Sequence, residues 1–457
     1  MNTLIAITGL GILCLLFEIL NARKAIVPIT VAGLLGVLAL DISDYLNPQS
    51  FYNNMIVVSK FSAAFSGLFI VLTLFLVAMS RDFYNNQVSK ISDFVAIKIF
   101  LLAGSVAMVS FGNLSMFFLG IEILSISLYV LAASNRLSIK SNEAGMKYFL
   151  MGSFASGIIL FGICLIYGAT GSFDVAEIYE LSKSGLIPMW FFIGLAMMVI
   201  GMFFKSAAVP FQFWAPDVYE GSPVLTTATM STLAKVVALA ALFKILSGMN
   251  AYMSYYFEIL IVVVSIASMT VGNLLALRQT NVKRMLAFSG ISHAGYMLMV
   301  FLSINTSAST LLYYTAAYST AGIAAFAAVI YIIKRTGKED IAAFNGLGKS
   351  NPLMAAVLAG GLLSMAGIPI FSGFFAKFML FSQTIQGGYL IVVIAAVINS
   401  IISIGYYFKL IIAMYTKDPV ASENQAVPFS YYAVGGIALL LNLALGLFPS
   451  MLLNLFN

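Results

Sequence analysis

Residues 188–218 read PMWFFIGLAMMVIGMFFKSAAVPFQFWAPDV. As one helix, at 1.5 Å per residue, this stretch would be roughly 46 Å long, against about 30 Å of hydrocarbon in a bilayer. It is too apolar for a water-facing surface and too long for one straight crossing. Pro210 and Pro216 each remove an amide donor and collide with the preceding turn, so a membrane helix broken beside Lys205 is expected. Non-helical backbone at that depth survives only where protein or water covers it. Residues 352–386 have the same character: roughly 52 Å as one helix, with Gly367, Pro369 and Gly373 as breakers and Lys377 just beyond them.

The rest of the chain agrees. Of its 457 residues, 61% are apolar and 9% charged, whereas soluble domains run near about 45–50% and 25%. That balance excludes a water-soluble globule, a disordered chain and a free-standing nucleic-acid binder, despite a formal charge of +6. The partner it demands is the lipid bilayer. Apolar runs near helix-crossing length recur from 3–20 to 428–448 and give about fourteen spans: an all-α polytopic membrane protein. The first run has no basic n-region and is read as a membrane helix rather than a removed signal.

Loop charges test this count. Alternate connections carry fifteen basic residues, including Arg23, Arg81, Lys90, Arg136, Lys140, Lys147, Arg284 and Lys334, while the opposite connections hold only Lys183. Basic residues mark the cytoplasmic face, so both termini are expected on the outer side of a bacterial inner membrane. The organisation expected is a three-helix segment 1–92, a five-helix unit 93–250, a second unit 251–418, and a final helix 419–457. Each unit has its broken helix in fourth place. Five crossings are odd, so the second unit is expected inverted relative to the first, as in many secondary transporters.

Cys14, Cys164 and the single His293 are too few for an iron–sulfur cluster or a structural zinc site, and neither a dinucleotide fingerprint nor a phosphate loop occurs. No cofactor is expected on this chain. Seven lysines fall inside spans: Lys60, Lys98, Lys205, Lys235, Lys244, Lys377 and Lys409. Lys60, Lys98, Lys244 and Lys409 are near enough to helix ends to snorkel. Lys205, Lys235 and Lys377 are not.

Glu122, midway along the fifth span, is the one acid at central depth and is expected to pair with Lys205. Desolvation favours the neutral form of any ionisable side chain, and an opposite charge favours the ionised form. A carboxylate that approaches and leaves a buried amine therefore switches proton affinity. Ser206, Thr226, Thr229 and Ser292 are candidates to hold intervening waters, and His293 is read equally as a relay or as a packed, hydrogen-bonded histidine. A static ion pair locking two helices is the bland alternative. The many Phe, Tyr and Met residues are read as packing and interface belts.

Five stretches carry a family resemblance: FLGIEILSISLYVL at 118–131, GMKYFLMGSFASG at 145–157, FKSAAVPFQFWAPDVYEGSP at 204–223, KRMLAFSGISHAGY at 283–296 and GIPIFSGFFAKF at 367–378. Together they resemble the antiporter-like membrane subunits of respiratory complex I, and most closely its N branch. The resemblance implies that Glu122, Lys205, Lys235 and Lys377 carry proton translocation, with Lys147 and His293 in accessory positions. It also implies other membrane-arm subunits of the complex as partners, with NADH oxidation, flavin, iron–sulfur clusters and quinone belonging to other subunits than this one. Gln212 stands where some relatives have histidine. Rival readings are a subunit of a multi-subunit cation/proton antiporter, a stand-alone solute transporter, and a purely structural membrane subunit.

Overall fold

The protein is described by a computed structural model covering residues 1–84, 91–183, 187–248, 255–419 and 427–456. Lys90, the side chain of Lys183 and the expected boundary between residues 250 and 251 lie outside the described residues.

The chain opens with α1 (Asn2–Ile19) and α2 (Ile26–Leu46), then a short hairpin of β1 (Gln49–Phe51) and β2 (Ile56–Val58). Next come α3 (Lys60–Ala78), α4 (Ser80–Phe83), α5 (Ile91–Ser110), α6 (Leu114–Ala132), α7 (Ile139–Thr170) and the short α8 (Val175–Lys183). They are followed by α9 (Met189–Ser206), α10 (Trp214–Gly221), α11 (Val224–Thr229), α12 (Lys235–Gly248), α13 (Tyr255–Leu277) and α14 (Val282–Leu298). The last part holds α15 (Ala308–Thr336), α16 (Leu347–Ser350), α17 (Pro352–Ala366), α18 (Ser372–Gln386), α19 (Leu390–Thr416) and α20 (Phe429–Leu447).

Thirteen spans among the described residues are long and apolar enough to cross a membrane. The remaining expected crossing is shared by α17 and α18, each too short to cross alone. Several helix ends are satisfied by local caps. Ser59 and Ser62 form a reciprocal capping box at α3. Asn113, Ser138, Asn281 and Asn351 cap α6, α7, α14 and α17 from their side chains. Gly171 and Gly337 end α7 and α15 at positive φ.

The α11–α12 span, α14 and α15 are almost wholly buried and form the centre, while α1, α2 and α20 expose most of their surface. The ionisable residues discussed below sit around this centre.

The structure refines the expected breaks. The first non-helical stretch is 207–213, around Pro210. Pro216 breaks nothing, because it lies in the first turn of α10, where a missing amide hydrogen removes no intrahelical bond. Both broken spans end in the same way. Ala208 N bonds Phe203 O at 2.9 Å and Ala207 N bonds Phe204 O at 3.0 Å; Ile368 N bonds Leu363 O at 3.1 Å and Gly367 N bonds Ser364 O at 2.9 Å. These are Schellman-type caps, with Ala207 (φ 59) and Gly367 (φ 88) in the left-handed position. The span read as one continuous helix over 224–247 is also irregular: residues Met230–Ala234 form a π-helical turn directly before Lys235. Short π segments widen the backbone and gather at functional sites. α14 runs on into 3₁₀ turns at Met299–Thr306, with a kink at Ser303.

Candidate functional site

Lys205 is in the last turn of α9 and is buried. Its ammonium donates to Ser125 Oγ at 2.6 Å, Tyr129 Oη at 3.3 Å and Ser156 Oγ at 3.4 Å. Three donors meet three hydroxyls from α6 and α7. Ser125 is free to accept because its own hydrogen is spent on Ile121 O, 2.6 Å away. The carbonyls left open where α9 stops do not compete for the ammonium: Phe204 O takes the indole of Trp214 at 3.1 Å.

The expected ion pair between Glu122 and Lys205 is not formed. Glu122 is one turn before Ser125 on α6, and its Oε1 is buried without a hydrogen-bond partner. Ser125 Oγ is the nearest acceptor of the ammonium, and no Glu122 oxygen is within ion-pair distance of it among the described contacts. Burying a charge needs either a partner or water, and this carboxylate has no partner here on its inner oxygen.

Lys235 is 2% exposed, and its ammonium has no hydrogen-bond partner. It stands against Gly290 of α14: a Cβ there would fall 2.6 Å from Nζ and 3.1 Å from Tyr318 Oη. Only glycine leaves room for both polar ends at that point. Tyr318 Oη lies 3.1 Å from Ser231 Oγ in the π turn. The ring of Tyr318 is 4.7 Å from that of His293. His293 is held on both sides, Nδ1 3.0 Å from Tyr314 Oη and Nε2 3.3 Å from Tyr407 Oη, so it is both packed and hydrogen-bonded. Its ring is 5.9 Å from Tyr296, whose face lies 5.1 Å from the Lys377 ammonium. Lys377 donates to Ala366 O at 3.0 Å.

The structure therefore joins Lys235, His293 and Lys377 through Tyr318 and Tyr296. Glu122 and Lys205 form a separate hydroxyl-lined cluster on α6, α7 and α9. Lys147 is in neither. It is half-exposed on the basic end, bridged to Glu143 at 2.7 Å and to Asp217 at 3.3 Å. Asp217 is shared with Arg284 at 2.7 Å, and Arg284 also meets Glu220 at 3.1 Å. A row of Tyr129, Tyr148 and Trp214, the first pair edge-to-face and the second stacked with ring centres 4.9 and 4.6 Å apart, runs between Lys205 and the helix that carries Asp217 and Glu220.

Of the hydroxyls expected to hold water, Ser206, Thr226 and Thr229 donate to the carbonyls of Phe203, Leu131 and Leu225, and only Ser292 Oγ is buried and unpartnered. Gln212 Oε1 is likewise buried without a partner. Lys60 and Lys409 are exposed, and Lys409 donates to Gln279 O at 3.0 Å. Lys244 is half-buried and caps Val109 O at 2.7 Å. The snorkelling reading fails for Lys98, which is 1% exposed and points inward.

Five tyrosines do more than the packing and interface role expected of them. Tyr129, Tyr296, Tyr314, Tyr318 and Tyr407 are buried and bond the ionisable groups or one another's neighbours. One signal was available: Ser289, Ser292, His293 and Tyr296 follow an i, i+3, i+4, i+7 stripe, one helix face of polar groups inside an apolar span.

Comparison with known proteins meets this geometry at full length. Residues 111–403 match the family described as NADH:quinone oxidoreductase/Mrp antiporter, transmembrane. The NADH-quinone oxidoreductase subunit N of Flavobacterium johnsoniae is 70% identical, with all of both chains covered. A chain of respiratory complex I from Thermus thermophilus superposes with TM-score 0.85 at 28% identity, over 99% of this chain and 98% of that one. A chain of the Mrp complex from Dietzia, at 22% identity and TM-score 0.89 over 99% and 95%, shares the fold. Fold alone thus does not separate the two branches; sequence identity over the whole length does, and the chain belongs to the NADH-quinone oxidoreductase subunit N family of antiporter-like membrane proteins.

Proposed function

We propose that this chain translocates protons across the bacterial inner membrane as an antiporter-like subunit of an NADH:quinone oxidoreductase, driven by electron transfer from NADH to quinone in other subunits. It rests in the membrane arm beside related and smaller membrane subunits, with flavin, iron–sulfur clusters and quinone held by its neighbours. Glu122, Lys205, Lys235 and Lys377 exchange the protons; His293 and Lys147 assist.

The observation that carries this reading is the set of buried amines that meet no carboxylate among the described residues: Lys205 bonds three hydroxyls, Lys377 a backbone carbonyl and Lys235 nothing. An ammonium at membrane depth costs about 2.5–3.5 kcal/mol on insertion scales, and three such groups in one bundle are hard to explain by packing. Lys205 surrounded by three hydroxyls and Lys235 surrounded by none are two settings of the same group. A water beside Lys235, bonded to Tyr318 and the unpartnered Ser292, would convert one setting toward the other. Movement of Glu122 toward the amine would favour the ammonium, and its withdrawal would favour release. One charge moved against 100 mV requires about 2.3 kcal/mol, the work of fewer than about two pKa units.

Division into units 93–250 and 251–418 is supported by the matching caps at Ala207 and Gly367, each in the fourth crossing of its unit. The outward placement of both termini is supported by the clustering of Lys140, Lys147, Lys283 and Arg284 with their acids at one end of the bundle.

Glu122→Ala and Lys205→Ala, each measured in the assembled complex in sealed vesicles, test the proposal. Most proton pumping is expected to disappear while the complex remains assembled. Normal pumping stoichiometry in assembled Glu122→Ala membranes would reject the coupling role.

A further inference from the structure

Lys98 is a buried cation that the site described above does not use. Its ammonium donates to Ser80 Oγ at 2.7 Å and lies 4.9 Å from the centre of the Tyr84 ring. Ser80 gives its own hydrogen to Leu76 O at 2.9 Å, so it only accepts from Lys98. One of three ammonium donors is thereby satisfied, and a ring face supplies the rest of the stabilisation. No carboxylate pairs with Lys98 among the described ion pairs.

Tyr84 itself is 3% exposed, stacked on Phe94 at 4.5 Å, and its hydroxyl is buried without a partner. Two adjacent polar groups are thus under-satisfied. Tyr84, but not Lys98, lines a cavity of about 360 Å³, together with Ser134, Ser138, Lys140, Glu220, Lys283 and Glu339. At about 30 Å³ per molecule it has room for on the order of ten waters, and its lining gives them polar partners. It opens at the basic end, where Lys283 pairs with Glu339 at 2.6 Å.

Depth matters too. α5 and α12 both run from the basic end toward the other, where Lys244 Nζ meets Val109 O at 2.7 Å. Counting back along each helix at about 1.5 Å per residue puts Lys98 and Lys235 at comparable depth, to within the reach of the Lys244 side chain. Lys98 is thus about as deep as an amine already assigned to proton exchange, yet the ring it rests on, that of Tyr84, lines a cavity with room for water.

We propose that Lys98 is a further proton-binding site, loaded with protons from cytoplasmic water in this cavity by way of the Tyr84 hydroxyl. This rests on the translocation reading. A hydronium in the cavity gives its proton to Tyr84 Oη and becomes water. Tyr84 passes its original proton, through a bridging water or a tilt of the ring, to the free amine of Lys98, which becomes ammonium. Tyrosine is regenerated, and one proton has moved from cavity to lysine. Ser80 is a positioning residue that holds the amine toward the ring.

The alternative is a structural pin, in which Lys98 on the Tyr84 ring merely ties α4 to α5. Tyr84→Phe separates the two, because it keeps the ring and removes only the hydroxyl. In the intact complex in sealed vesicles, proton uptake and NADH oxidation are measured together for Tyr84→Phe, Lys98→Met and Glu122→Gln. Several-fold slower proton uptake at normal assembly is expected for Tyr84→Phe, and at least as great a loss for Lys98→Met. Wild-type uptake by assembled Tyr84→Phe, or by assembled Lys98→Met, overturns the proposal. Should Glu122→Gln also pump normally, it is the translocation reading of the chain that fails, not the loading site alone.

Discussion

The ammonium of Lys377 bonds the carbonyl oxygen of Ala366 at 3.0 Å, across the non-helical stretch between α17 and α18. A helix that stops inside a membrane leaves its last carbonyls unsatisfied, and their partial negative charge favours a cation. The break and the lysine therefore stabilise each other. At the first break the same role falls to Trp214, which leaves Lys205 free for Ser125, Tyr129 and Ser156. The two halves of the bundle use one cap geometry to hold their lysines differently.

Lys377→Met removes the only donor shown for Ala366 O. An orphaned buried carbonyl costs about 1–3 kcal/mol. The variant is expected to lower the temperature at which the purified complex loses this subunit, and to reduce proton flux in vesicles. Unchanged thermal dissociation would show that the carbonyl is satisfied in some other way.

Gly290→Ala places a methyl group 2.6 Å from Lys235 Nζ, the movable end of a long side chain. The lysine can shift, so assembly should survive while proton translocation slows. Gly295→Ala instead meets Met269 N and Ser265 O, both at 2.8 Å, and backbone cannot yield cheaply. That variant should lower the amount of assembled complex. Western blots of membranes and vesicle acidification, run on both, distinguish the two outcomes.

Ala207 adopts φ 59 at the end of α9, a conformation that burdens any L-residue with a Cβ by about 1–2 kcal/mol. Ala207→Gly relieves this, minus the greater chain entropy of glycine when unfolded. A net gain below about 1 kcal/mol is expected, seen as a small rise in thermal stability. The same exchange at Ala208, which is not in that conformation, should bring no gain.

Ser125→Ala takes away the nearest acceptor of Lys205, at 2.6 Å. Hydrogen bonds to charged groups are worth about 1.5–3 kcal/mol. With Tyr129 and Ser156 still in place, pumping should fall without vanishing, and less than for Lys205→Ala. Ser125→Thr, which keeps the hydroxyl, should restore most of it. Equal loss in both serine variants would mean that packing, not the hydroxyl, is what matters.

The chain's composition and apolar periodicity settle that it is a bundle of membrane helices, because hydrocarbon tolerates no other backbone arrangement of this length. Pro210 marks one broken span, and Pro369 with Gly367 and Gly373 marks the other, since the breaker residues act locally. The lysines at risk are legible one by one, because a charge in an apolar run is visible without knowing what surrounds it. Their partners are not. Lys205 meets Ser125 and not Glu122, the tyrosines on α14, α15 and α19 converge on His293, and Lys98 turns inward to Ser80. Each of these depends on which faces of distant helices meet. Nor does the π turn before Lys235 announce itself, as it follows from how that helix is seated against α15.

What the sequence by itself determined is which elements cross the membrane, where they break, and which side chains carry charge into it; those properties depend on neighbours a few residues away along one helix. What only the tertiary structure decided is whether each charge meets a carboxylate, a hydroxyl, a carbonyl or nothing, because hydrogen bonds act over about 3 Å between helices far apart in the chain.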